Sequence, residues 1–145
     1  MSVTETSRTS SVLSWSREVG RPTAVAVSVT AALVVNLALW LIGLAAGGSF
    51  AHTNAGVTQS AAPGGVVLMT VVPLTLGLGV AALLSRWWAG FIRVAQIVGA
   101  ALPLATIAGT LDADFDGAST VTLALMHVVI ATVAVVGLEK MRADR

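Results

Sequence analysis

The sequence predicts an all-α fold, a four-helix transmembrane bundle with both termini in the cytoplasm. Three observations predict it. The chain has 145 residues, of which only 10% are charged, and its mean hydropathy is +0.90. A soluble domain covers its surface with about 25% charged residues. Four apolar runs each approach the ~20 residues that a helix needs to cross a bilayer core of ~30 Å. The third observation is that Lys and Arg occur on alternate connections only, which fixes an orientation.

Residues 1–22, rich in Ser and Thr, read as a mobile cytoplasmic tail. A short amphipathic element around Val12, Leu13 and Trp15 suits a membrane surface. The first helix is expected over 23–45. It is too long for a signal-peptide core, and a polar segment precedes it. Ser49-Phe50-Ala51 loosely resembles a cleavage triplet, but an uncleaved helix is the preferred reading. The remaining helices are expected over 66–84, 88–111 and 119–138, with a short cytoplasmic tail at 139–145. Runs this long without strict alternation are helices rather than barrel strands.

Arg8, Arg17 and Arg21 precede helix 1. Arg86 and Arg93 flank the second connection, and Lys140, Arg142 and Arg145 follow helix 4. The first and third connections contain no Lys or Arg. The positive-inside rule therefore places both termini inside. Trp87, Trp88 and Phe91 mark the inner interface, and Trp40, Phe50 and Phe115 the outer one.

Four polar or helix-perturbing residues fall at one depth of the outer leaflet. At 1.5 Å per residue, Asn36 and His127 lie roughly 12–13 Å from the outer helix ends. Pro73 and Pro103 sit at nearly the same level. Each proline frees a carbonyl one turn earlier, and Asn36 and His127 can donate to such groups. Ala24, Ser28, Ala32 and Asn36 share one helical face. So do Ala124, His127, Ala131 and Ala134, and Ala101, Ala105 and Gly109 form a similar ladder on helix 3. Small faces admit a close neighbour, which turns Asn36 and His127 toward protein. His127 is then either a neutral imidazole bonded between helices or a proton or ligand site. A haem with two axial His ligands would need His52, which reads as part of the external loop.

Arg93 and Gln96 lie one turn apart near the inner end of helix 3. They suit an inner-leaflet lipid contact, with Arg93 snorkelling to the headgroups or pairing with Glu139. The loop "DADFDG" (112–117) matches the start of a calcium-binding loop, which makes Asp112, Asp114 and Asp116 candidate metal ligands. The twelfth position, however, is Leu123 instead of a bidentate Glu. The simpler reading is an acidic turn, with Asp116 or Ser119 capping helix 4.

The absence of cysteine excludes disulfides, thiolate zinc sites and iron–sulfur clusters. No phosphate-binding, dinucleotide, zincin, triad or nucleic-acid signature is present. No cofactor is implied.

The stretch "TLALMHVVIATVAVVGLEK", and within it "LALMH" (123–127), resembles the last helix of a family of short actinobacterial membrane proteins of unknown function. "LPLATIAGT" is similar to that family's third helix. The resemblance implies four helices and a His in the last one, and no activity. Asn36 and the aspartate cluster depart from the family pattern. Two functions fit these readings. One is a non-enzymatic accessory subunit that packs in the bilayer against itself or another membrane protein. The other is a conduit for a small solute or proton, with its polar site at Asn36 and His127.

Overall fold

A computed structural model describes residues 20–61, 63–88 and 90–143. The expected tail segment around Val12, Leu13 and Trp15 lies outside these residues. Four helices carry the fold: α1 (Arg21–Ala45), α2 (Pro63–Leu84), α3 (Phe91–Asp112) and α4 (Gly117–Ala143). Each is long and apolar enough to cross a membrane. Large apolar side chains such as Leu41, Ile42, Leu68, Ile97 and Leu111 face outward around the bundle. Water would penalise that surface and hydrocarbon would not, so these features point to a multi-pass membrane protein.

The helix limits shift modestly from those expected. Pro22 near the first position of α1 suits a helix start, because its missing N–H is unbonded there anyway. Pro63 opens α2 three residues before the expected 66. Gly90 and the turns at 85–87 delay α3 until Phe91. The expected tail at 139–145 is helical as far as Ala143, with Lys140 and Arg142 in the last turn, where cations favour the helix dipole.

The small face of α1 is buried as expected: Ala24, Ser28, Ala32 and Asn36 all point inward. It packs on α4, where Gly137 permits the approach. A Cβ at Gly137 would stand 2.5 Å from Ser28 Oγ. α4 is the central element, packed broadly against α1 and α3, while α2 leans mainly on α1. α2 and α3 meet only lightly. Among the residues of α3, only Ile92 and Thr110 are buried. The ladder Ala101, Ala105 and Gly109 faces outward instead of meeting a helix of this chain.

The connection between α1 and α2 contains a hairpin the sequence reading did not anticipate. β1 (Ala51–Asn54) pairs antiparallel with β2 (Val57–Ser60), and His52 sits opposite Gln59. Ala55 (φ 49°) and Gly56 (φ 79°) both take positive φ, as a two-residue turn of the mirror-image type requires. Beneath the hairpin, Phe50 is buried 6.4 Å from the Trp40 ring.

One polar knot fixes that end of the bundle. Asp116 accepts from Ser119 N (2.8 Å), Ser119 Oγ (2.7 Å), Ser49 N (2.8 Å) and Ser49 Oγ (2.8 Å). Ser119 Oγ in turn accepts from Phe50 N at 2.8 Å. Asp116 is thus the N-cap of α4 and also the clasp for the end of α1. Phe50 holds a positive φ of 52°, which a bulky residue keeps only where its surroundings enforce it.

Candidate binding cavity between the helices

The light contact between α2 and α3 leaves a cleft in the hairpin half of the bundle, about 470 Å³ in volume. Asn36, Pro73, Pro103 and His127 all line it. The layer read from the sequence is therefore a shared wall. Its internal bonding differs from the expectation. Asn36 Nδ2 donates to Thr70 Oγ1 at 2.9 Å, which ties α1 to α2. His127 Nδ1 lies 2.7 Å from Leu123 O, one turn back on its own helix. Neither side chain serves a carbonyl freed by proline, and the two do not bond each other. A helical His reaches the carbonyl four residues back within its own turn, so it needs no neighbouring helix to satisfy one nitrogen.

That bond sets the chemistry of the ring. A carbonyl oxygen only accepts, so Nδ1 carries the proton. In the neutral imidazole, Nε2 is then a bare acceptor. It has no partner among the described residues. Asn36 is 1% exposed, and its Oδ1 is buried without a partner. Thr106, also on the cavity wall, donates its hydroxyl proton to Pro103 O at 2.7 Å and so presents lone pairs. The inner wall thus carries acceptors at His127, Thr106 and Asn36, and a donor in the Thr70 hydroxyl, whose oxygen accepts from Asn36.

The hairpin supplies the roof. His52, Gln59 and Ser60 border the cavity, and the His52 ring packs on Phe115 at 4.6 Å. His52 Nδ1 is buried without a partner. Instead of the expected external loop, His52 stands in the hairpin, on the cavity wall. Thr70 and Thr106 were also missed. Each lies one turn from a proline, Thr70 before Pro73 and Thr106 after Pro103, and that spacing was visible.

Toward the opposite end the gap continues as a second cleft of about 430 Å³ with an entirely apolar lining. The two share Pro73, Leu102, Pro103 and Ile130.

The other expected sites resolve differently. Gln96 Nε2 donates to Glu139 Oε2 at 2.9 Å and to Val135 O at 3.4 Å, so it joins α3 to α4. Glu139 makes its close ion pair with Arg142 on its own helix, and the Arg93 charge also attracts it from farther away. The Arg93 side chain is exposed and hydrogen-bonds no described residue. Asp112, Asp114 and Asp116 do not converge, and no group of three potential ligands forms among the described residues. Asp116 already accepts from both serines. Donation from the Ser119 backbone N–H, then the Ser119 hydroxyl, then the Ser49 backbone and hydroxyl holds its carboxyl well below the usual carboxylate range, against a smaller opposing effect of burial.

The four apolar helices point to a small multi-pass membrane protein, and a partly polar cleft lies among them where α2 and α3 meet lightly. The chain belongs to the family of unknown function DUF6069, whose model matches residues 16–144. No curated protein and no solved structure matches it.

Proposed function

We propose a non-enzymatic protein of the bacterial cytoplasmic membrane, both termini inside, whose cavity receives a small molecule bearing a hydrogen-bond donor. The observation that carries this reading is the free Nε2 lone pair of His127 on a cavity of about 470 Å³. The orientation rests on charge. Arg86 and Arg93 flank the turn between α2 and α3. Arg21 donates to Ala82 O near the end of α2, and Lys140 and Arg142 close α4. All lie at the end away from the hairpin, which the positive-inside rule assigns to the cytoplasm. The cavity then belongs to the outer half, reached from outside past His52 and Gln59. No Asp, Glu, Lys or Arg lines it, so a proton role falls to the histidines.

The chain lacks cysteine, which makes single-cysteine probes clean. Thr106→Cys in intact cells is expected to react with a small membrane-impermeant methanethiosulfonate added outside, and much faster than Ile97→Cys on the lipid face. Equal rates, or reaction only after permeabilisation, would overturn the reading.

A packing or accessory role rests on a separate observation, the outward face of Ala101, Ala105 and Gly109 on α3. Such faces let another helix approach closely. Ala105→Cys is expected to form a disulfide-linked species in native membranes, and monomer alone would remove this second role.

A further inference from the structure

We infer that the ligand of this cavity is a neutral long-chain alcohol, with its hydroxyl in the hairpin-side chamber and its hydrocarbon chain in the apolar cleft below. The inference rests on the cavity being a binding site and goes on to name what fills it. Three features fix the chemistry. The inner wall of the upper chamber offers two acceptors, His127 Nε2 and the Thr106 hydroxyl oxygen, and one donor, the Thr70 hydroxyl, whose oxygen already accepts from Asn36. A complementary head must donate, as a hydroxyl does. No carboxylate lines the chamber to balance a cation, and no Lys or Arg to balance an anion. Burying an uncompensated charge there would be costly, so the head is neutral.

The lower cleft supplies the rest. It is lined only by apolar residues and joins the upper chamber at Pro73, Leu102, Pro103 and Ile130. It lies where α2 and α3 meet lightly, so a chain can slide in sideways from the bilayer without crossing water. Gly77 stands on its wall, and a Cβ added there would meet nothing within 4 Å. That empty space is where the chain would run. A short polar solute would leave the lower cleft unused, whereas an amphiphile fills both with one molecule.

The full-length protein in lipid nanodiscs, exposed to a diazirine-bearing hexadecanol, tests this. Saturable labelling is expected on the facing segments of α2 and α3. Unlabelled hexadecanol should compete at least about tenfold better than palmitate or hexadecyltrimethylammonium, a difference worth one decade in affinity. Gly77→Phe fills the lower cleft from a position with free space. Together with Val98→Phe from the opposite wall, it should abolish saturable labelling while the melting profile and gel-filtration position stay unchanged. His127→Phe should remove the preference for the alcohol. No saturable labelling, equal competition by the charged amphiphiles, or full labelling of the filled variants would overturn the inference. If Thr106→Cys is still modified from outside in that event, the cavity stands and only the amphiphile falls. If neither occurs, both readings fall together.

Discussion

The two sides of the bundle are built on opposite terms. Where α1 meets α4, glycine and small residues bring the backbones together, and the Asp116 knot clasps one end. Where α2 meets α3, two prolines and Gly77 line a gap that no side chain fills. Both sides contain glycine, but its meaning differs. At Gly137 it permits a close contact, and at Gly77 it leaves space. The closed side holds the fold, and the open side is where the proposed ligand would enter.

The sharpest way to break this contrast is to enlarge a glycine on each side. Gly137→Leu drives a side chain into Ser28, where even a Cβ would stand 2.5 Å from Oγ. Overpacking of this kind costs about 1–3 kcal/mol and more where backbones must separate. A large loss of thermal stability in detergent is expected, with α1 detaching from α4. An unchanged melting profile would show that the α1–α4 contact does not hold the bundle.

The next effect is smaller and depends on pH. The carboxyl of Asp116 titrates below its unfolded range, so the unfolded chain binds its proton first as pH falls. The stabilisation is fully present above the ordinary aspartate pKa of about 3.9 and fades as pH drops through the lowered native value. Asp116→Asn should melt lower than the parent at neutral pH and lose part of its acid sensitivity. Proteolysis within residues 51–60 of the hairpin should become faster. If the variant keeps the parent's pH profile, the knot does not clasp the closed side.

The smallest effect belongs to Gly77→Ala. Its Cβ meets nothing, and alanine favours a helix over glycine by roughly 0.5–1 kcal/mol. Neutral or slightly raised stability is expected by the same melt. A clear loss would mean that the gap is packed.

Much of this contrast was legible in the sequence. The spans follow from hydropathy, and the buried face Ala24–Ser28–Ala32–Asn36 follows from a four-residue period. The shared wall of Asn36, Pro73, Pro103 and His127 follows from depth alone, because straight spans of known rise keep their levels. The Asp116 cap was one of the two local readings of its turn. Bonding partners were less accessible. Whether His127 bonds across helices or to Leu123 depends on a rotamer, which spacing does not encode. The hairpin was missed because Ala55-Gly56 lacks the usual Asn-Gly signal at its turn. With it went His52, whose position over the cavity exists only once β1 and β2 pair. The outward face of α3 could not be read either. A small-residue ladder looks the same whether its neighbour lies in the chain or outside it.

The one-sided attachment of α3 also bears on how the chain is assembled as it is made. α1 and α2 can dock as soon as both are in the bilayer, joined by Asn36 and Thr70. α3 follows, but its principal neighbour, α4, has not yet been synthesised. Until α4 follows, Gln96 would lack its Glu139 acceptor. In a three-helix intermediate α3 would have only its light contact with α2, and α4 would supply the larger one on emerging.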